Sequence, residues 1–331
     1  MLHHVGIVGT GSYVPEKVLT NADLEKIVDT NNEWIVSRTG IKERHIAEPE
    51  TPVSELCRKA AQKALEDANV APEEVELIIV CTVTPDYAFP ATAGLVADMI
   101  GAKHAAGFDL SAGCSGFLYG MTTAAQFIAT GVYKTALVIG AETLSKLINW
   151  EDRSTCVLFG DGAGAAVLQP VEEGYGFLGY DLGADGSGGH LLTCLGGGSK
   201  NPASLETVQN KLHTIRMAGS EVFKFAVRIM GEASFKALDR AGLKKEDIDF
   251  FVPHQANVRI IDSAVKRLGV DPEKVIINLD RYGNTSSASI PLALDEASRS
   301  GKINYGDNVL MVGFGAGLTW GAAVLKWAKR K

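Results

Sequence analysis

KALEDANVAPEEVELIIV, residues 63–80, aligns without a gap on KALDRAGLKKEDIDFFVP, residues 236–253, at an offset of 173. Five of the eighteen positions are identical and most of the others are similar. Each stretch runs from a helix-like segment through a polar turn into an apolar strand-like run. TALVIG (135–140) falls on NVLMVG (308–313) at the same offset. Two separated segments that agree on one offset predict a duplicated chain, with an N-terminal half over 1–171 and a C-terminal half over 172–331. No Pro/Ser-rich linker lies between the halves, so they are expected to pack tightly.

Outward from the repeat, strand and helix signals alternate. VELIIVCTV (75–83) is β-branched and apolar throughout, as a strand buried on both faces would be. SELCRKAAQKALEDAN (54–69) repeats apolar residues at Leu56, Ala60, Ala64 and Ala68, a helical spacing. HAAGFDL (104–110) and TALVIGA (135–141) read as short strands with a helix over about 115–130 between them. This alternation predicts an α/β fold with helices on the sheet faces.

The 331 residues are 46% hydrophobic and 21% charged, enough for a large core, and the formal net charge is −7. An acidic chain argues against bulk nucleic-acid binding. No apolar run reaches the roughly 18 residues of a membrane span, and MLHHVGIVGTG lacks the basic and apolar regions of a signal peptide. The five cysteines form no CxxC pair. Neither a disulfide framework nor a metal site is expected, and a reducing cytoplasm is the expected home.

Three glycine-rich stretches resemble nucleotide loops only in part. VGIVGTGSYVP (5–15) has valine where a dinucleotide fingerprint needs its third glycine. FGDGAGAAV (159–167) and GFGAGLTWG (313–321) lack the GK[ST] ending of a P-loop. Glycines at such points permit close backbone packing, and they can also aim N–H groups at a charge.

Three residues carry chemistry. Cys114, in DLSAGCSGFLYG (109–120), falls between a predicted strand and a predicted helix, where unpaired N–H groups favour a thiolate. Gly113 and Gly116 beside it would permit a tight turn and a close substrate. Taken alone, a buried structural cysteine remains open. His254, in DFFVPHQANVRI (249–260), falls just past a strand end, where open α/β sheets bind ligands; a structural or surface histidine remains open too. Asn284, in DRYGNTSSASIP (280–291), is either a turn residue or a polar donor. The offset of 173 carries Cys114 onto Ser287, close to Asn284, and Cys81 onto His254. The pseudo-symmetry therefore brings the three segments to the junction of the halves. Elsewhere, NVRIIDSAVKRLG (257–269) puts Arg259 and Lys266 on one helix face with Arg267 beside them, while Ile260, Ala264 and Leu268 form an apolar stripe that would seat the helix.

DLSAGCSGF, VPHQANVRI, YGNTSSASIP and GFGAGLTWG, in this order, resemble the β-ketoacyl-acyl-carrier-protein synthase III family, over essentially the whole chain. The resemblance implies a thiolase-like fold: two duplicated α/β halves in a five-layered αβαβα architecture. It implies that Cys114 takes an acetyl or short branched acyl group from acyl-CoA and that malonyl on acyl carrier protein then condenses with it, losing CO2. His254 and Asn284 would stabilise the enolate, and the backbone N–H groups of Cys114 and Ala316 the other oxyanion. The family pattern has glycine at position 316, and alanine keeps the donor in place only if its φ is negative.

The same resemblance implies coenzyme A contacts at Trp34, Arg153 and Asn257. It implies an acyl pocket walled by Phe314 and, across a homodimer interface, by the partner's copy of Phe89. It implies a carrier-protein surface of Lys224, Gln255, Ala256, Asn257, Val258, Arg259, Lys266 and Arg267. No cofactor is implied, since the CoA thioesters are substrates. Competing readings are a cysteine-dependent thioesterase, or another thiolase-superfamily condensing enzyme; a thiolase would need a second cysteine that GFGAGLTWG lacks.

Overall fold

The computed structural model describes residues 2–329. Nine strands build two sheets: β1 (Val5–Tyr13), β2 (Leu77–Cys81), β3 (Ala106–Leu110), β4 (Ala136–Glu142), β5 (Gly162–Pro170), β6 (Gly176–Ala184), β7 (Phe250–Pro253), β8 (Asn308–Gly315) and β9 (Thr319–Lys326). Six helices cover them: α1 (Val53–Ala68), α2 (Thr92–Ile100), α3 (Gly116–Ala129), α4 (Gly219–Ala241), α5 (Val258–Leu268) and α6 (Ser289–Arg299).

The first sheet has the order β1-β5-β4-β2-β3 and the second the order β6-β9-β8-β7. Pairing repeats along with order. β1/β5 and β5/β4 are antiparallel and β4/β2 is parallel, just as β6/β9 and β9/β8 are antiparallel and β8/β7 is parallel. β3 pairs parallel to β2. Its counterpart beside β7 shrinks to a single bridge between Phe251 and Val275.

The layers follow from which residues are apolar. β2 and β4 are buried along their whole length, so helices must cover both faces. α1 and α2 cover the outer face of the first sheet through Leu56, Ala60, Ala64 and Val96, against Ile78, Val80 and Ile139. α4 and α5 cover the outer face of the second through Phe225, Ile229, Ile261 and Ala264, against Phe251, Leu310 and Val312. α3 and α6 lie between the sheets, where Phe117, Met121, Ile290 and Leu294 pack with Ile79, Val138, Val309 and Met311. The five-layered αβαβα order expected from the resemblance is the observed one.

Two local differences bear on the site. The strand expected over 75–83 stops at Cys81 because the Val83 N–H and the Thr82 hydroxyl turn to the Glu142 carboxylate. The helix expected from about residue 115 is preceded by one tight turn, Gly113–Ser115.

Candidate active site

Cys114 occupies the turn between β3 and α3. Ser287 occupies the matching turn, Ser286–Ala288, before α6, at the offset of 173, and the two turns pack against each other. His254 follows β7, its N–H donating to Val312 O at 2.8 Å. Asn284 is held by its backbone, with its N–H on Leu158 O at 2.8 Å and its O accepting from Gly160 N–H at 3.0 Å. Strand ends from both halves thus converge, and Cys114, His254 and Asn284 line one cavity of about 100 Å³.

The polar ends of the latter two side chains are oriented by neighbours. The Ser286 N–H donates to Asn284 Oδ1 at 2.9 Å, so the Nδ2 donors are the end left for the cavity. His254 Nδ1 lies 2.7 Å from the Ser289 hydroxyl, which leaves Nε2, and Phe314 packs edge-on to the imidazole with ring centroids 5.5 Å apart.

Burial sets the protonation states. It holds His254 down at about 3, so the imidazole is neutral near pH 7. It pushes the Cys114 thiol up to about 12, the neighbouring Ser286 side chain pulling the other way and the nearby Glu142 charge adding to the rise. The thiolate expected from a helix start is therefore not the resting state: α3 begins two residues beyond Cys114, and the sulfur sits in a buried site beside a carboxylate.

The glycines are corrected in role. A Cβ on Gly116 would stand 3.3 Å from Cys81 Cβ, so this glycine seats α3 on the sheet and leaves no room for a substrate. A Cβ on Gly113, whose φ is 54°, would stand 2.7 Å from Ala316 N. Glycine is needed there because the turn carrying Cys114 touches the loop after β8. Ala316 is not among the residues of positive φ; Gly317 takes that conformation, at 135°. Alanine therefore fits where the family pattern has glycine.

A second cavity, of about 160 Å³, opens on the other side of Cys114. Val83, Leu144, Leu147, Phe159, Leu192 and Ile215 line it, together with Ser286 and Ala316. Phe314, expected as a wall of an acyl pocket, lines the His254 side and not this cavity. Phe89 lines neither cavity of its own chain. It is 86% exposed, in the loop before α2, whose first residues Thr92 and Ala93 hold Asp109 of the edge strand β3.

Trp34 and Arg153 do come together, the guanidinium lying 4.9 Å from the centre of the ring. Arg38, which the sequence did not single out, lies 4.8 Å from the same ring. Asn257 lines the first cavity, but its amide is engaged, donating to Arg38 O at 2.9 Å and accepting from Arg259 N–H at 2.9 Å as the cap of α5. Lys224, Arg259 and Lys266 are exposed and Val258 is half-buried. Arg259 covers the Phe223 ring at 5.4 Å, and Arg267 pairs with Glu232 at 3.8 Å. Gln255 and Ala256 are corrected: both are buried. Gln255 is tied to Pro253 O, Ile276 O and Asn278 N–H, and Ala256 lines the first cavity, so neither belongs to a docking surface.

Sequence reading missed Glu142, Ser286 and Ser289. The one available signal was an acid closing the otherwise apolar run ALVIGAE (136–142).

Residues 108–186 match the family described as 3-oxoacyl-[acyl-carrier-protein (ACP)] synthase III, and residues 238–327 match its C-terminal part. A β-ketoacyl-[acyl-carrier-protein] synthase III of Desulfitobacterium hafniense is 76% identical over 326 residues, covering 98% of both chains. The chain belongs to the β-ketoacyl-ACP synthase III family. A second β-ketoacyl-ACP synthase III, from Caldanaerobacter subterraneus subsp. tengcongensis, is 62% identical over 98% of both chains. Among solved structures, the synthase III of Aquifex aeolicus superposes with a TM-score of 0.91 at 49% identity, covering 98% of this chain and all of that one. The Thermus thermophilus synthase III gives 0.90 at 52%, over 97% of this chain and 99% of that one. As a β-ketoacyl-ACP synthase III, the protein is an acyltransferase, a thiolase-fold condensing enzyme of fatty-acid biosynthesis. Among the described residues no helix is long and apolar enough to cross a membrane, and no group of three or more His, Cys, Asp or Glu could hold a metal.

Proposed function

We propose that the protein transfers an acyl group from acyl-CoA to Cys114 and condenses it with malonyl carried on acyl carrier protein. The observation that carries this reading is the meeting of Cys114, His254 and Asn284 on one cavity in a chain of this family.

In the first step the Cys114 sulfur attacks the thioester carbonyl and the bond to the CoA sulfur breaks. Exchange between two sulfurs is nearly isoenergetic, so the acyl group stays activated. The apolar second cavity suits its alkyl end, acetyl or short and branched. The N–H groups of Cys114 and Ala316 would receive the carbonyl oxygen as it gains charge. In the second step malonyl loses CO2, and the enolate oxygen accepts from His254 Nε2–H and Asn284 Nδ2. A neutral imidazole whose Nδ1 accepts from the Ser289 hydroxyl carries its proton on Nε2, as this role requires. Each such donor contributes about 10²–10³ in rate. The carbanion attacks the acyl carbonyl, and Cys114 leaves as thiolate. The products are β-ketoacyl-ACP, CoA and CO2. Hydrolysis is disfavoured, since an imidazole held at about 3 is a weak base for activating water.

The surrounding surfaces fit the same reading. Trp34 and Arg153 offer flat faces for the CoA adenine. Lys224, Arg259 and Lys266 offer positive charge to an acidic carrier protein. The open β3 edge with exposed Phe89 and Tyr87 suits a second copy, giving a homodimer in which Phe89 reaches the partner's pocket. The N-terminal half (1–171) supplies Cys114, and the C-terminal half (172–331) supplies His254 and Asn284. No cofactor is needed, because the thioester supplies the activation, and the setting is cytoplasmic.

The test is to offer a panel of acyl-CoAs and weigh the Cys114 peptide. Short acyl groups are expected on Cys114, with malonyl-ACP then yielding β-ketoacyl-ACP and CO2. Failure of every acyl-CoA to label Cys114 overturns the reading, and release of free acid as fast as loading makes the protein a hydrolase.

A further inference from the structure

Glu142 ends β4 and is completely buried. Its carboxylate accepts from the hydroxyls of Thr84 at 2.8 Å, Ser287 at 2.9 Å and Ser286 at 3.1 Å, and from the Val83 N–H. Among the described residues no cation faces it. A buried carboxylate satisfied only by neutral donors is costly, and burial pushes its pKa up to about 7.

Ser286 joins this carboxylate to the nucleophile. Its hydroxyl donates to Glu142 Oε1 at 3.1 Å, and Ser286 and Cys114 line the second cavity together, on turns that pack against each other. The backbone of Ser286 is left-handed, with φ 51°, a conformation disfavoured for any residue but glycine. Strain of this kind collects at functional positions. Here it lets one residue serve Glu142 through its hydroxyl and Asn284 through its N–H.

We propose that Glu142 receives the Cys114 proton through the Ser286 hydroxyl during acyl transfer and returns it when Cys114 is released. The inference rests on Cys114 being the acyl-accepting nucleophile. As sulfur bonds to the acyl carbon, its proton passes to Ser286 Oγ while the Ser286 proton passes to Glu142 Oε1. The CoA thiolate leaves and takes a proton from solvent. When the enolate attacks and Cys114 departs as thiolate, the two transfers run backwards and Glu142 is again ionised. The net uptake of one proton matches loss of CO2 from a malonate anion.

The other residues in reach do not serve. His254 is held neutral at about 3, a poor proton acceptor. Among the described residues, the groups that feel the Glu142 charge include Cys114, Cys81 on β2 and Cys57 on α1; burial raises the pKa of the last two thiols, which are uncharged near neutrality.

The experiment measures single-turnover loading of acyl-CoA onto Cys114 against pH, in wild type, Glu142→Gln and Ser286→Ala. Wild-type loading by itself tests the nucleophile, separately from the relay. A wild-type profile that rises to about pH 7 and then flattens is expected. Both variants should load about a hundred-fold slower at pH 7 and should climb in proportion to hydroxide with no bend. A merely electrostatic Glu142 predicts the opposite sign, because deleting a negative charge beside a thiol speeds loading at every pH. Glu142→Gln loading as fast as wild type, or keeping the bend, overturns the proposal. A bend that disappears instead in His254→Ala assigns the proton to the histidine and overturns it as well. If Glu142→Gln does not fold, Ser286→Ala alone decides, because it removes the bridge and leaves the carboxylate in place.

Discussion

Gly315 and Cys114 meet backbone to backbone: a Cβ on Gly315 would stand 2.3 Å from the Cys114 nitrogen and 3.0 Å from the Gly113 carbonyl carbon. No rotamer relieves such a contact, since it is made by main-chain atoms. Gly315→Ala must therefore move the loop after β8 away from the nucleophile, separating the N–H groups of Cys114 and Ala316. We expect about 1–3 kcal/mol of destabilisation and at least a hundred-fold slower acyl loading, read by thermal melting and by the mass of the Cys114 peptide. Loading at the wild-type rate would remove the backbone pair from the reaction.

His254 should make the protein sensitive to acid. Its pKa is 6.5 when unfolded and about 3 when folded, so between these values the unfolded chain binds more protons. Stability from this residue is fully present above about pH 6.5 and is lost as pH falls towards 3, by roughly 5 kcal/mol in all. Glu142 works the other way. Raised from 4.5 to about 7, it lowers stability as pH rises across that window. Denaturant melts from pH 3 to 8 should show the acid-side loss in wild type and not in His254→Ala. Parallel curves for the two proteins would show that the buried imidazole is not the acid-sensitive group.

Arg259 lies over Phe223 at 5.4 Å on the exposed face of α5. Arg259→Glu reverses a charge beside Phe223, which lines the first cavity, without touching the core beneath α5. Use of malonyl-ACP should weaken about ten-fold or more at low salt, and the difference should shrink as salt screens it. Acyl-CoA loading should stay near wild type. Equal losses in both steps would reject α5 as the carrier's docking face.

How much of this was legible in the sequence depended on the kind of interaction. The duplication was readable because strand and helix periodicity is local, and the offset of 173 survives in the matched turns at Cys114 and Ser287. That Cys114, His254 and Asn284 would meet was readable because each sits at an element end in a distinctive motif. Glu142 was not, because its partners come from Thr84 and Ser286, far away in the chain. The apolar cavity was not legible for the same reason: its lining is gathered from Val83, Leu144 and Ile215 on separate segments, while Phe314 lines the His254 cavity. Gln255 and Ala256 were placed on the carrier-protein surface by the family resemblance, whereas the turn after β7 folds Gln255 inward to satisfy Asn278.

The Trp34 ring carries the guanidinium groups of Arg153 and Arg38 at 4.9 and 4.8 Å. Under the proposed reaction, an adenine stacking on this ring competes with the protein's own cations, each contact worth about 0.5–1 kcal/mol at an exposed site. A thioester borne on the arm of a carrier protein has no ring to offer and leaves the latch fastened. One small aromatic patch can in this way tell the two sulfur carriers apart by what lies at the far end of the arm.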